Sequence, residues 1–200
     1  TNALHAGHDV TQNGGTRAVP IYQTTSYVFN DSEHAANLFS LKELGFIYTR
    51  LNNPTNQILQ DRLATLEGGI GAVVFASGTA AISTGLLTLL KAGDHIVASS
   101  SLYGGTYNLL ANTLPRFGIT TTFVDPDNPN EFTKAVKSNT RVFFAESLGN
   151  PKLDVIDLKS ISDASKKAKV PFIVDNTVAS PALLNPIEHG ANIVIHSLTK

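Results

Sequence analysis

From Gly71 onward, short apolar runs alternate with longer amphipathic stretches. "GAVVFA" (71–76), "HIVAS" (95–99), "ITTTFVD" (119–125), "RVFFAES" (141–147), "PFIVDN" (171–176) and "NIVIH" (192–196) are rich in β-branched and aromatic residues and read as buried strands. They recur at intervals of roughly 20 to 30 residues, the spacing of βαβ units and therefore of a mostly parallel sheet. Between them the pattern predicts helices over 79–90, 106–117, 130–137 and 158–168. Gly93, Gly118 and Gly190 fall just past helical stretches, where a left-handed cap is wanted. The region before Gly71 differs. Residues 1–30 are polar, carry the hydroxyl run "YQTTSY" and lack periodicity, so they read as an extended arm. "NQILQDRLATLEGG" then places Ile58, Leu59, Leu63 and Leu66 on one face ahead of a glycine stop, which predicts a helix. The expected division is an arm with the start of this helix over 1–60, followed by an α/β domain over 61–200.

Composition narrows the class. With 42% hydrophobic and 16% charged residues in 200, the chain can bury a real core. A net charge of -1 speaks against nucleic acid or an anionic membrane as main partner. No apolar run approaches the roughly 20 residues that span a bilayer, and no signal peptide is visible, so the chain is expected to be soluble, with the cytoplasm as the default compartment. Zero cysteines exclude disulfides, thiolate metal sites and a cysteine nucleophile. His5 and His8 have ligand-like spacing but no acidic or histidine partners grouped nearby, so no metal is expected. The absent initiator methionine and the end at a lysine inside a motif suggest a segment of a longer chain.

In open α/β sheets ligands sit at the carboxyl ends of the strands. Those ends carry Ser77-Gly78-Thr79, Leu102-Tyr103-Gly104-Gly105, Glu146 with Asn150 soon after, Asp175-Asn176-Thr177, and Ser197, Thr199 and Lys200. "ASGTAA" is a flexible turn opening a helix, where unpaired N–H groups favour an anion such as phosphate, although Ser77 also reads as an ordinary N-cap. Ser197 and Thr199 could add hydroxyls to that anion, and Arg50 could add charge. Asp175 either caps a turn or meets a buried cation, and a protonated pyridine nitrogen is such a cation. Tyr103 is a flat partner for such a ring or simply a partly buried aromatic. An amine in a dry site near a cationic ring loses basicity, so Lys200 could form a Schiff base. Phosphate, pyridinium and aldehyde together describe pyridoxal phosphate.

"AVPIYQTTSYVF", "YTRLNNPTNQILQDRLATLEGG", "ASGTAA", "SLYGGTYNL", "ESLGNPKLDVIDL", "VDNT" and "HSLTK" resemble, in order, the blocks of the Cys/Met-metabolism family of pyridoxal-phosphate enzymes. The resemblance covers nearly the whole chain. Within the family, "LYGGTYN", "TLPRFGI" and "GNPK" look more like the O-acetylhomoserine sulfhydrylases than the cystathionine enzymes, which tend to read "NPT" at Asn150-Pro151-Lys152. Methionine γ-lyases usually carry a cysteine where this chain has Gly105.

The resemblance implies a fold-type I transferase, a mostly parallel sheet with helices on both faces behind an N-terminal arm, and a smaller C-terminal domain beyond Lys200. It implies that Lys200 holds the cofactor as a Schiff base and moves protons, Asp175 pairs with the ring nitrogen, Tyr103 stacks on the ring and Asn150 approaches the ring hydroxyl. Ser77, Gly78, Thr79, Ser197 and Thr199 would line the phosphate, and Thr177 would pack near the ring. Tyr48 and Arg50 would reach the phosphate of a neighbouring subunit in a homo-oligomer, a tetramer built from dimers with shared sites. The implied reaction is γ-replacement, acetate leaving O-acetyl-L-homoserine and sulfide adding to give homocysteine, with Lys200 and Tyr103 or Tyr48 as acid–base groups. A sibling γ-lyase or cystathionine γ-synthase shares every cofactor residue. A non-catalytic nucleotide-binding module could use the same sheet.

Overall fold

The structure, a computed structural model, describes residues 1–200 and divides into two compact units, Thr1–Val74 and Phe75–Lys200. The first unit holds α1 (Asn2–His5), α2 (Ser32–Phe39) and α3 (Pro54–Glu67). α3 starts where the Asn53 side chain accepts the Thr55 N–H and Pro54 occupies the first turn; it stops at Gly68, whose φ of 71° is the left-handed cap. Asn53 is buried, and its amide donates to the Tyr22 carbonyl at 2.9 Å and to Thr49 Oγ1 at 3.1 Å. A Ser26–Tyr48 bridge lies beside these bonds. The aperiodic polar stretch is thus held by side chains bonding to backbone, which a periodicity search does not see.

The second unit is a five-stranded parallel sheet in the order β2-β1-β3-β4-β5, built from β1 (His95–Ser99), β2 (Thr120–Val124), β3 (Thr140–Glu146), β4 (Phe172–Asp175) and β5 (Ile193–Ile195). Its helices are α4 (Gly78–Leu89), α5 (Gly104–Asn108), α6 (Pro129–Lys134), α7 (Leu158–Ala168) and α8 (Ser180–Leu183). Alternate residues of each strand feed two separate cores. Ile96, Ala98, Val142, Phe144 and Ile173 pack with Ile82 and Leu86 of α4 and with Leu109 and Leu110 after α5. Val97, Phe143, Ala145, Phe172 and Val174 pack with Phe132 of α6 and Ile161 of α7. Helices therefore cover both faces, and the inner strands β1, β3 and β4 are almost wholly buried because neither face meets water, while edge strand β2 carries three threonines and is partly exposed.

Three expectations are corrected. No strand forms over 71–76: Val73 is 70% and Phe75 42% exposed. A strand needs a neighbour to take its backbone groups, and the Val74 N–H goes instead to Gln60 Oε1 at 3.1 Å. The helix over 106–117 becomes α5, a π turn at Leu109–Thr113 and a 3₁₀ turn at Leu114–Phe117. Pro115 has no N–H and its ring would meet the carbonyl four residues back, so the ladder changes register there. The helix expected over 130–137 ends earlier, at Lys134. No helix is long and apolar enough to cross a membrane.

At the amino ends of the strands, His95 is fully buried. Its Nδ1 lies 2.8 Å from Thr140 Oγ1 and its Nε2 2.8 Å from Thr122 Oγ1, so one ring ties β3, β1 and β2 together. Burial, and then the Lys137 charge, hold its pKa below the usual 6.5. An unfolded histidine takes up its proton near pH 6.5 while the folded one still resists, so the unfolded chain binds more protons below that value. Stability is therefore expected to fall as pH drops from 6.5 toward the folded pKa, by at most about 1.4 kcal/mol per pH unit for this group. Urea unfolding of wild type and His95→Gln at pH 7.5 and 5.5 checks this: the advantage of wild type over the variant should shrink at the lower pH, and a constant difference would exclude the linkage.

Candidate active site

Parallel strands deliver all their carboxyl ends to one edge, and the alternation described above decides which side chains face which helix layer. Phe144 and Ile173 belong to the core under α4 and α5; two residues on, Glu146 and Asp175 return to that same face. They stand directly opposite each other in the β3–β4 ladder. The openings of α4 and α5, with Ser77-Gly78-Thr79 and Tyr103, belong to this layer. Strand register and core packing thus place two acids near two helix starts.

Ser77 caps α4 by accepting the Ala80 N–H at 3.1 Å. The N–H groups of Gly78 and Thr79, at the first two helical positions, have no partner within the helix and are available to an anion. Gly78 is required for a second reason: a Cβ there would lie 2.8 Å from the Cβ and 3.1 Å from the Cα of Ser197. Only glycine lets the start of α4 touch the chain that leaves β5, and this contact puts the Ser197 hydroxyl beside the helix terminus. Ser197 N–H in turn donates to Thr177 Oγ1 at 2.8 Å. Thr177 N–H donates to Asp175 Oδ1 at 2.9 Å. Gly78, Ser197, Thr177 and Asp175 are thus one connected chain of contacts.

Tyr103 precedes α5; its N–H donates to Glu146 Oε1 at 2.7 Å, and the residue is 53% exposed. Glu146 is a buried acid. Burial pushes its pKa from 4.5 up to about 7; the Tyr103 N–H works against that rise and the Asp175 charge adds to it. Sequence reasoning located Glu146 at a strand end but gave it no role. The signal was present, since a carboxylate closing an apolar run is the same pattern that singled out Asp175.

Asn150 is exposed just past β3, in a loop closed by the Gly149 N–H to the Asp154 carbonyl at 3.0 Å. Thr199 and Lys200 are exposed beyond Ser197. Tyr48 and Arg50 lie in the first unit, where the exposed Arg50 guanidinium sits 4.9 Å over the Tyr48 ring. No group of histidines and acids is arranged to hold a metal ion. The residues present fit pyridoxal phosphate: a helix start narrowed by Gly78 and Ser197 for the phosphate, a strand-end acid for the ring nitrogen, and an exposed aromatic for the ring face.

Comparison with known proteins agrees with that fit. The family described as "Cys/Met metabolism PLP-dependent enzyme" matches residues 1–200. The chain is 56% identical over its full length to an O-acetyl-L-homoserine sulfhydrylase of Leptospira meyeri, covering 45% of that protein. It is 47% identical to an L-methionine gamma-lyase of Fusobacterium nucleatum subsp. polymorphum, covering all of this chain and 51% of that one. A crystal structure from Campylobacter jejuni that contains N'-pyridoxyl-lysine-5'-monophosphate superposes with a TM-score of 0.96 at 42% identity, over 100% of this chain and 49% of that one. The chain spans about half the length of the curated relatives it matches.

Proposed function

Since the chain belongs to the Cys/Met-metabolism family of PLP-dependent enzymes, we propose that its protein performs γ-replacement, converting O-acetyl-L-homoserine and sulfide to L-homocysteine and acetate. The observation that carries this choice of substrates is the 56% identity over the whole chain to the Leptospira sulfhydrylase. The bound cofactor supplies an electron sink for the α-carbon. The chain's own residues do the rest.

The Gly78 and Thr79 N–H groups, with the Ser77, Ser197 and Thr199 hydroxyls, hold the phosphate. Asp175, oriented by the Thr177 N–H, keeps a proton on the ring nitrogen, and a carboxylate on a rigid strand end does this without rearrangement. Tyr103 lies against the ring face, Thr177 packs near it and Asn150 reaches the ring hydroxyl. Lys200 binds the cofactor aldehyde, takes the α-proton when substrate displaces it, and returns protons with Tyr103 or Tyr48. A second proton leaves the β-carbon, the electrons so freed expel acetate from the γ-carbon, and hydrosulfide adds there before protons return to the β- and α-carbons. The enzyme is a homo-oligomer, a tetramer built from dimers, in which Tyr48 and Arg50 reach the partner subunit's phosphate. The exposed stacking of Arg50 on Tyr48 supports this, since it presents a planar, pre-ordered cation suited to bidentate contact.

The identity to the Fusobacterium lyase favours γ-elimination as the second reading, which uses the same residues. Full-length protein loaded with pyridoxal phosphate separates the two. Homocysteine is expected from O-acetyl-L-homoserine only when sulfide is present, with weak turnover of O-succinyl-L-homoserine and L-cystathionine. Rapid release of ammonia and a keto acid without sulfide would establish the lyase, and a colourless, inactive protein would overturn both.

A further inference from the structure

Glu146 takes no part in the chemistry above, yet it is an acid only 5% exposed, and buried carboxyls are rare unless something holds them. Its holder is known: Oε1 accepts the Tyr103 N–H at 2.7 Å across 43 residues of sequence. Just before it Leu102 is buried in the core and the Ser101 N–H bonds Ser99 Oγ at 3.0 Å, but Tyr103 itself emerges from that core. It stands before the first turn of α5 and makes no side-chain cap. Its ring packs directly over Gly105, where a Cβ would come within 2.5 Å of ring Cε1. Half of the residue faces solvent. The backbone bond to a carboxyl seated on a central strand therefore ties Tyr103 itself directly to β3. That strand end is also opposite Asp175, so the anchor is registered to the acid assigned to the ring nitrogen.

We propose that Glu146 is a positioning residue whose carboxyl oxygen, by holding the Tyr103 backbone, sets the Tyr103 ring at a fixed place relative to Asp175. The inference rests on the functional reading for the roles of Tyr103 and Asp175, but the anchor is a property of the chain alone. Burial lifts the acid to about 7, so at neutral pH it is partly neutral, and a neutral carboxyl still offers a carbonyl oxygen to the N–H. Glutamine offers the same oxygen at the same reach. Alanine offers none and leaves a backbone N–H without its partner.

Glu146→Gln and Glu146→Ala in the full-length protein test this with two readouts. In the cofactor-free protein, amide hydrogen exchange of the peptide containing residues 102–107 is expected to quicken by about tenfold in the alanine variant, the effect of one lost buried hydrogen bond, and to stay within about threefold of wild type in the glutamine variant. In protein loaded with pyridoxal phosphate, the visible circular dichroism of the bound cofactor should be kept by glutamine and altered by alanine, because that signal reports the ring's asymmetric surroundings. Equal exchange in all three proteins would overturn the anchor. Glutamine behaving like alanine in both readouts would show that charge, not position, is what Glu146 contributes, and would also overturn the proposal. Failure of wild type to bind the cofactor would sink the functional reading instead, and the exchange measurement would still decide the anchor.

Discussion

Asp175→Asn is expected to lower turnover by a hundredfold or more, roughly the loss seen when a preorganised electrostatic group is removed from an active site, while fold and cofactor content stay near wild type. The geometry sets up this separation. Asp175 Oδ1 accepts the Thr177 N–H at 2.9 Å, and an asparagine Oδ1 keeps that bond and its volume. The backbone pairing of β4 with β3 and β5 is unaffected by the side chain. Only the negative charge disappears, and with it the force that keeps the ring nitrogen protonated. A secondary effect has a definite sign. The Asp175 charge is one of the causes that raise Glu146, so the Glu146 pKa should fall in the variant. Steady-state assays with cofactor stoichiometry measured on the same samples check the prediction, and near-normal turnover would mean that Asp175 is a turn cap only.

Lys200→Ala is expected to abolish turnover while the protein still takes up pyridoxal phosphate through the Gly78–Ser197 cradle. Borohydride treatment should covalently fix the cofactor to wild type and leave the variant free of adduct. Retained activity would mean that another lysine, such as Lys152, does this work. The variant also tests the subunit arrangement. Arg50→Ala should be nearly inactive by itself, yet co-refolded with Lys200→Ala it should regain activity, because some sites would combine an intact Lys200 with the partner's intact Arg50. If Arg50 serves its own subunit, every site in the mixture carries a lesion and no activity returns.

The parallel α/β fold was legible in the chain because most of its elements rest on local chemistry. Ser77 caps α4 through a residue three positions away, Gly68 and Gly118 end their helices with positive φ, and α7 spans the residues its apolar spacing predicts. The rule that ligands sit at the carboxyl ends of parallel strands then placed Asp175, Tyr103 and Ser197 on one edge of the sheet.

Where partners are distant in sequence, local pattern was silent or misleading. Residues 71–75 have strand composition, but composition cannot supply a neighbouring strand, and without one the segment is not a strand. The continuous apolar runs of β1, β3 and β4 hid which residues face α4 and which face α7, because a strand buried on both sides loses the alternation that would reveal its faces. That assignment decided that Glu146 and Asp175 share a face. The acid that singled itself out least, Glu146, gained its meaning from a hydrogen bond to Tyr103 that only the folded sheet makes. Sequence by itself thus determined the elements, their order and the donors at the strand ends, since each depends on residues within a few positions. Tertiary structure alone decided which of those donors touch, because strand register and the approach of α4 to Ser197 are set by packing between segments far apart in the chain.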